Sequence, residues 1–502
     1  MKNKNMTAET AAELIEDGSC VWLTAGGGGI NEPSFFLKKL EEHYLNIGHP
    51  CNLTLCHSAG VGDKQGGGVD RFAHEGMVKK VIGSHWTWGV NMQMLARQEK
   101  IEAYVLPQGT MTQLTREIAA KRPGVITKIG LGTFVDPDIE GGAMNARSQE
   151  KLSEHVTLCG EEYLLYKAFP IDTAIIRAST ADEEGNLTFE REGIIPECLS
   201  AAQAAKNSGG KVIAQVKRLV QKGTLSPLDI RVPGFLVDAV VVDPEQKQSF
   251  VTDYDASLSG ECRTVIQENA KIMPLTERKI IARRAAMEIS KSGIVNLGFG
   301  MPAGVAAVIK EEQAEDYMKL SVEQGITGGI PASGSNFGLV YNPEVILEEQ
   351  NQFDWYDGGG LDVAVLSFAE FDKEGNVNVS RFGDRVNGVG GFINISQATP
   401  KVIFVGTLLA GGKIKKAVKQ VKQISFSAKY ARKQKQEVLY ITERAVFRLG
   451  EQGVELIEKA PNVDLEKDIL AHMDFRPVIS PKLKTMSSKL FREEVMGCFR
   501  HA

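Results

Sequence analysis

The chain has 502 residues, of which 43% are hydrophobic and 24% charged, a composition that is ordinary for globular protein and long enough for roughly three domains. The formal net charge is only −5, the isoelectric point is near 6.0, and no segment interleaves basic with aromatic residues, which argues against nucleic acid as a partner. An anionic ligand would therefore need a few locally placed Lys or Arg side chains.

The cysteines, histidines and N-terminus give expectations about compartment and metals. The seven cysteines contain no CxxC pair, which argues against a zinc site or a disulfide framework. The eight histidines show no HExxH pattern, and His85, beside two tryptophans, is interpreted as structural. The N-terminus reads as a polar helix, and no run approaches the ~18 apolar residues of a membrane span. We expect a cytoplasmic protein with no metal site and no membrane partner.

A glycine-rich loop follows the first predicted strand, residues 20–24. The four glycines at 26–29 precede a helix, and N–H groups in such a loop can hold a phosphate or an oxyanion. Gly28 is our candidate ligand contact there. Neither this loop nor a second one at residues 298–304 spells GxGxxG, and GxxxxGK[ST] is absent, so a dinucleotide-dependent dehydrogenase is a weak alternative. A tight strand-to-helix turn without a ligand is the other interpretation.

Internal similarity predicts a duplicated unit. Residues 171–187 resemble residues 361–377, and residues 211–213 resemble 401–403, both at an offset of 190. A helix, strand and glycine loop at residues 11–29 recur at 285–300, with an offset near 274. The two offsets differ by 84, so the first half should carry about 84 extra residues between its glycine loop and Asp172.

The fold class predicted from this pattern is α/β, with two similar open α/β domains whose mostly parallel sheets are flanked by helices. We place the domains at residues 1–265 and 272–502. The polar, turn-rich stretch at 253–271 forms the boundary, before a helix that Thr276 could cap and whose first turn carries Glu277.

One carboxylate lies in an unusual setting, in the segment Ser321-Val322-Glu323-Gln324-Gly325. A glutamate at a strand end is ionised near neutral pH but is a weak nucleophile toward anything except an activated acyl group such as a thioester. Small residues, Gly325 among them, would let an acyl group approach and would expose N–H donors for an oxyanion. The alternative is a surface glutamate in a glycine-rich turn.

Two further segments are candidate binding elements. Residues 387–392 contain three glycines before Phe392, and the N–H groups of Gly390 and Gly391 could serve an oxyanion, although a bulge or turn explains the pattern equally well. Lysines at 413, 415, 416, 419 and 422 have helical spacing near the expected carboxyl edge of the sheet. A solvated helix face is the simplest interpretation, with Lys413 as the candidate contact to a phosphate.

The chain resembles family I CoA-transferases over nearly its full length, in particular the propionate CoA-transferase or acetate:acyl-CoA transferase branch with both halves fused. The segments that carry this resemblance are SVEQG at 321–325, YDGGGLD at 356–362, GVGGFINI at 388–395, VIGSHW at 81–86, LPQGT at 106–110 and GLGTFVDP at 130–137. The resemblance implies that Glu323 is the catalytic glutamate, that the Gly391 N–H serves an oxyanion hole, and that Gln108 faces the thioester. Relatives usually read Pro-Glu after the first glycine loop. This chain reads Asn31-Glu32-Pro33, so the resemblance assigns no oxyanion donor there.

The reaction implied is a ping-pong transfer of CoA from a short-chain acyl-CoA to a free carboxylic acid, through a glutamyl anhydride and a glutamyl-CoA thioester. Coenzyme A is then a substrate, no cofactor is required, and homo-oligomers, dimers or tetramers, are expected. Acetate, propionate, butyrate, acetoacetate and lactate all remain open as acids. The alternatives are an acyl-CoA thioesterase, in which water attacks the same intermediate, and a non-catalytic acyl-CoA-binding sensor.

Overall fold

A computed structural model describes residues 4–265, 273–289 and 293–499. In the first half, the strands are β1 (Cys20–Leu23), β2 (Leu53–His57), β3 (Val78–Gly83), β4 (Glu102–Tyr104), β5 (Gly124–Thr127), β6 (Ser153–Leu158), β7 (Glu161–Lys167), β8 (Thr173–Asp182), β9 (Leu187–Thr188), β10 (Lys211–Val220), β11 (Ile230–Val232) and β12 (Ala239–Val242). The helices are α1 (Ala8–Ala12), α2 (Ser34–Ile47), α3 (Val90–Arg97), α4 (Gln108–Ala119) and α5 (Cys198–Asn207).

The main sheet of the first half is built on a parallel core in the order β12-β10-β8-β1-β2-β3-β4, and the antiparallel strands β9 and β11 extend it from the end of β8. All ten residues of β8 are buried, as expected for a central strand covered on both faces. Helix α5 packs on β8 and β10 through four buried alanines, whose small side chains allow a close approach to the sheet. Strands β5, β6 and β7 form a separate antiparallel sheet.

In the second half, the strands are β13 (Ile294–Leu297), β14 (Lys319–Val322), β15 (Ile326–Thr327), β16 (Ile330–Pro331), β17 (Val340–Tyr341), β18 (Val345–Ile346), β19 (Val363–Ser367), β20 (Glu370–Asp372), β21 (Val377–Asn378), β22 (Arg381–Phe382), β23 (Arg385–Val386), β24 (Lys401–Val405), β25 (Leu409–Ala410), β26 (Ile414–Lys415), β27 (Ala417–Val418), β28 (Glu437–Ile441), β29 (Ala445–Gly450), β30 (Gly453–Lys459) and β31 (Val478–Thr485). The helices are α6 (Glu277–Ala286), α7 (Ala303–Glu311), α8 (Glu349–Asp357), α9 (Phe392–Ala398) and α10 (Ala428–Lys433). The main sheet has the order β18-β15-β14-β13-β19-β24-β28-β29-β30-β31, and its strands from β14 to β28 are parallel.

The two sheets confirm the predicted α/β fold and its duplication. Strands β2-β1-β8-β10-β12 and β14-β13-β19-β24-β28 follow the same order with the same direction. Each half contains the same hydrogen bond, and its donor and acceptor are separated from their counterparts by the offsets of 274 and 190. The Cys20 N–H donates to Asp172 Oδ2 at 2.8 Å, and the Ile294 N–H donates to Asp362 Oδ2 at 2.8 Å. The extra residues of the first half supply β3 and β4, which widen its parallel sheet, and the small sheet β5 to β7.

The proposed boundary is only partly visible. Residues 266–272 lie outside the described chain, so the division at 265 and 272 stays a prediction. Helix α6 starts at Glu277 with Thr276 at its N-cap, as predicted, but the Thr276 side chain makes no capping hydrogen bond. The preceding segment contacts the second half, since Asn342 donates its backbone N–H to the Ser257 carbonyl at 2.8 Å.

The halves share one apolar core and a direct interface. Helix α4 of the first half packs against α8 and α9 of the second, and buried residues from both halves join in one hydrophobic cluster. Arg116 on α4 forms an ion pair with Asp354 on α8 at 2.6 Å. Among the described residues, no helix is long and apolar enough to cross a bilayer.

Candidate active site

Glu323 lies directly after β14, in the tight turn that leads to β15. Gly325 has φ +100°, and a Cβ at this position would lie 2.2 Å from the Leu347 carbonyl oxygen, so only glycine fits the turn. The Gly325 N–H donates to the Val322 carbonyl at 3.1 Å, and the Gly328 N–H donates to the Leu320 carbonyl at 2.8 Å. The expectation of a free donor at Gly325 is therefore wrong, because the turn itself uses its N–H group.

Glu323 is half-buried: its carboxyl group lies deep among protein atoms, and the residue keeps partial access to solvent. Burial raises the pKa of Glu323 to about 7, and a hydrogen bond with the side chain of Gln324 opposes this rise. The Gln324 side chain lies next to Gly338. A Cβ added at Gly338 would be 3.5 Å from that side chain and 3.7 Å from Ile30 of the first half. The residue next to Glu323 thus lies where the two halves meet.

Strand β14, which leads into Glu323, is hydrogen-bonded to helix α8. Ser321 Oγ and Tyr356 Oη lie 2.7 Å apart, and Gln352 donates its side-chain amide to Ser321 Oγ at 2.8 Å. Asn296 on β13 donates to the Ser321 carbonyl at 3.2 Å. All of these groups are buried. The network fixes the end of β14 and hence the starting point of the Glu323 side chain.

The first half contributes Gln108, the first residue of α4. Its N–H donates to the Gly390 carbonyl at 3.0 Å, and its side-chain amide donates to the carboxyl group of Glu349 on α8. Gln108 is buried, and a Cβ at Gly390 would lie 3.2 Å from its Oε1. The structure therefore brings the predicted residues Gln108 and Gly390 together, and connects them through α8 with the segment that holds Glu323.

The two candidate oxyanion donors differ in their availability. The N–H of Gly390 donates to the Ser84 carbonyl at 3.0 Å, so it is already engaged. The N–H of Gly391, at the N-cap of α9, has no hydrogen-bond acceptor within the described ranges 4–265, 273–289 and 293–499. A Cβ at Gly391 would approach the Phe353 ring at 3.1 Å. Gly391, and not Gly390, keeps a donor free.

Within the first glycine loop, Gly28 is occupied by contacts inside the protein. Gly28 has φ +72°, and its N–H donates to the Gly62 carbonyl at 3.1 Å, so it does not offer a free donor to a ligand. A Cβ at this position would lie 2.0 Å from the Ser335 carbonyl oxygen. Gly28 is needed for the close approach of the segment between β16 and β17, which continues to Gly338 beside Gln324.

Comparison with known proteins decides the family. The model of the family described as Coenzyme A transferase matches residues 4–243. Caffeate CoA-transferase of Acetobacterium woodii is 47% identical over 517 residues, which cover 98% of this chain and 98% of the relative. The chain belongs to the coenzyme A transferase family. Acetate CoA-transferase YdiF of Escherichia coli (strain K12) is 43% identical over 510 residues, covering 98% of this chain and 96% of the relative.

The structural comparison agrees with the sequence comparison. The crystal structure of acyl-CoA transferase (YdiF) apoenzyme from Escherichia coli O157:H7 matches with a TM-score of 0.94 and 42% identity, covering 99% of this chain and 97% of that chain. A second structure of that enzyme, a thioester complex with CoA, matches equally well. The resemblance inferred from the motifs is confirmed, and the protein is a single-chain CoA-transferase with fused halves, an enzyme that moves CoA between an acyl-CoA and a carboxylate.

The lysine series of this CoA-transferase is not helical, which corrects the prediction. Lys413 lies exposed in the turn between β25 and β26, after Gly411 and Gly412, whose φ values of +56° and +70° allow the hairpin. Lys415 pairs with Asp474 at 3.0 Å. Lys416 lies with Nζ 4.1 Å from the centroid of the Phe368 ring, and burial lowers its pKa to about 8. The lysines therefore point into different environments.

Sequence reasoning missed two buried acids, Glu349 and Glu197, and took His85 to be structural. Glu349 and Glu197 are buried acids at the interface, and nothing in their sequence context separates them from surface glutamates. His85 was interpreted as structural, but a Cβ at Gly390 would lie 3.9 Å from its ring. Burial lowers the pKa of His85 to about 4, so the ring is neutral at pH 7.

Proposed function

We propose that Glu323 is the nucleophile of a ping-pong CoA transfer. Its carboxylate attacks the thioester carbonyl of an acyl-CoA and the C–S bond breaks. CoA departs as the thiolate, and the acyl group stays on Glu323 as a mixed anhydride. The thiolate attacks the glutamyl carbonyl, which releases the first carboxylate and leaves glutamyl-CoA thioester. An incoming carboxylate attacks this thioester, the same steps run in reverse, and a new acyl-CoA departs. Every electron pair is accounted for without a metal or a redox cofactor.

The observation that carries this proposal is the half-buried position of Glu323 beside the contact between the two halves. The carboxyl group lies deep in the protein but remains accessible, and the network around Ser321 and Tyr356 fixes the strand below it. Alignment of this kind can contribute ~7–11 kcal/mol to lowering the barrier. The thioester complex with CoA of the related YdiF enzyme supports the same chemistry.

Two glycines of the 388–391 segment have different functions in this proposal. We assign oxyanion stabilisation to the free N–H of Gly391, a contribution of ~3–4 kcal/mol for one donor. Gly390 keeps the surface next to Gln108 free of a side chain, so that the thioester can approach. Gly325 and Gly28 have a steric role, because backbone carbonyls of neighbouring segments lie too close to these positions for any Cβ. Lys413, exposed at the hairpin, is our candidate for the CoA phosphates.

We propose short-chain acyl-CoA and short-chain carboxylates as substrates, a homo-oligomeric enzyme, and the cytoplasm as its compartment. The named relatives act on caffeate and on acetate at 47% and 43% identity, so identity alone does not select the acid. A methylene group in a pocket is worth only ~1–3 kcal/mol. A panel of acids assayed against acetyl-CoA ranks them directly.

Steady-state kinetics test the proposed transfer. Parallel double-reciprocal lines for acyl-CoA and acid are expected, and Glu323→Ala should abolish transfer, whereas Glu315→Ala, at an exposed glutamate eight residues away, should behave as wild type. Free CoA thiol released at full rate without an acceptor acid would instead identify a thioesterase. Tight acyl-CoA binding without turnover would identify a sensor.

A further inference from the structure

Glu349 is the first residue of α8 and one of the most enclosed acids of the described chain. It is 1% exposed, and its N–H donates to the Ile195 carbonyl of the first half at 2.9 Å. Its Oε1 accepts a hydrogen bond from the side-chain amide of Gln108. Its Oε2 is buried and has no hydrogen-bond partner among the described residues. One oxygen is thus used and the other is enclosed without a donor.

Glu197, which lies just before α5, has the same pattern. It is 0% exposed, and its Oε1 accepts hydrogen bonds from Trp22 Nε1 at 2.8 Å and from Ser58 Oγ at 2.6 Å. Its Oε2 is also buried without a partner in the described part of the chain. The charge of Glu197 acts on Glu349 and raises its pKa. Two buried acids, one from each half, thus lie close enough to influence each other.

The two charged side chains that act on Glu349 are both acids. Burial raises the pKa of Glu349 well above its usual range, the nearby carboxyl groups of Glu197 and Glu323 raise it further, and the hydrogen bond from Gln108 opposes this rise. Within residues 4–265, 273–289 and 293–499, no Lys, Arg or His forms an ion pair with Glu349. The cations Arg116 and Arg231 act instead on its neighbour Glu348. An ionised carboxylate here would be buried without a counterion, which is strongly unfavourable.

We propose that Glu349 is a positioning residue that works as an uncharged acid: Oε1 accepts the amide proton of Gln108, and Oε2 carries the carboxyl proton. This inference rests on the proposed role of Glu323. No proton is transferred by Glu349 during the reaction. It fixes the Gln108 amide, so that Nε2 faces Glu349 and Oε1 faces Gly390.

The neutral state matters because the proposed reaction involves three anions in succession: the Glu323 carboxylate, the CoA thiolate and the incoming carboxylate. A negative charge on Glu349 would repel each of them in a medium where water screens poorly. Transfer should therefore slow as pH rises far enough to remove the proton from Glu349.

The test compares Glu349→Gln with Glu349→Ala in the full-length enzyme, with kcat/KM measured from pH 6 to pH 10. Glutamine keeps an acceptor oxygen for Gln108 and cannot ionise. We expect this variant to retain at least a third of the wild-type kcat/KM at pH 7 and to lose the decline that the wild type shows at high pH. Alanine leaves Gln108 without its acceptor, and we expect at least a 30-fold loss.

Two results would overturn the proposal. One is a glutamine variant as inactive as the alanine variant, which would mean that the carboxyl group must ionise or donate. The other is a high-pH decline that is identical in wild type and Glu349→Gln. If the alanine variant does not fold, the comparison of wild type with Glu349→Gln still decides. A wild-type enzyme that forms no CoA adduct on Glu323 would refute the proposed function itself, and that result is distinct from either of these.

Discussion

Ser321 Oγ and Tyr356 Oη lie 2.7 Å apart, which joins the strand that carries Glu323 to the helix that carries Glu349. Because Tyr356 is fully buried and its ring also contacts Phe353, the helix cannot shift without moving the end of β14. The proposed nucleophile and the residues that face it from the second half thus share one rigid support.

Replacement of Tyr356 by phenylalanine tests this support. The change leaves Ser321 with one fewer partner in a buried position, at a cost of about 1–2 kcal/mol in the free energy of unfolding. We expect kcat to fall more than KM rises, because the position of Glu323 is disturbed while the binding surface is kept. Urea unfolding and steady-state kinetics measure the two effects. Tyr163→Phe, which removes a surface hydrogen bond to Glu161 at 3.0 Å, is the matched control. Equal losses in both variants would contradict the argument.

The acidic side of the pH profile should follow Glu323. Because burial raises its pKa to about 7, the nucleophilic carboxylate forms only as pH rises through about 7, and kcat/KM should rise over the same range. A profile that is flat between pH 5.5 and 8 would mean that another group controls this limb.

The raised pKa of Glu323 also predicts that ionisation of this carboxyl group, which the reaction needs, lowers the free energy of unfolding. A carboxyl group whose pKa is raised by folding contributes stability that is complete below the unfolded pKa of ~4.5 and is lost as pH rises through about 7. Glu323→Gln removes this loss. The inactive variant should therefore be more stable than wild type by about 1–3 kcal/mol at pH 8, and the difference should shrink toward pH 5. Chemical denaturation at both pH values measures it. A variant less stable than wild type at pH 8 would disagree with a buried carboxylate at 323.

Gly325→Ala tests the turn that follows Glu323. The substitution forces alanine to φ +100° and places its Cβ against the Leu347 carbonyl, so we expect a loss of about 2–4 kcal/mol in stability together with most of the activity. Gly209→Ala is the matched control, since Gly209 has φ +88° but no atom within 4 Å of the added Cβ. The control should lose only about 1 kcal/mol and keep its activity. Comparable losses in both variants would show that strain alone matters.

Lys413→Ala tests the proposed phosphate contact. Loss of an exposed ammonium that meets the CoA phosphates should raise KM for acyl-CoA about threefold to tenfold, leave kcat unchanged, and have less effect at high salt. Lys415→Ala is the control, because its ammonium is already paired with Asp474. An unchanged KM in Lys413→Ala would move the phosphate site elsewhere.

The sequence was informative where local pattern or repetition decides the structure. The offsets of 190 and 274 predicted the duplication that appears in the paired hydrogen bonds of Asp172 and Asp362. The helical assignment of the lysines was wrong because Gly411 and Gly412 turn the chain into a hairpin. Spacing by three and four places side chains on one face only in a helix.

Contacts between segments that are distant in the sequence could not be predicted. The N–H of Gly28 was expected to meet a ligand, but its acceptor, the Gly62 carbonyl, belongs to a different loop that only the folded sheet brings near. Glu349 lies in a run of polar residues, Glu348 to Gln352, that reads as a solvated helix. It is buried because α4 of the first half covers it, and a one-dimensional pattern does not contain that information.

The central claim is that Glu323 becomes covalently linked to CoA, and the mass of its peptide after incubation with acyl-CoA alone is the most direct measurement. We predict that the tryptic or peptic peptide that contains residue 323 gains the mass of CoA, that addition of an acceptor acid removes it, and that Glu323→Ala never shows it. A CoA adduct on another residue, or full transfer activity without any adduct at 323, would contradict the account.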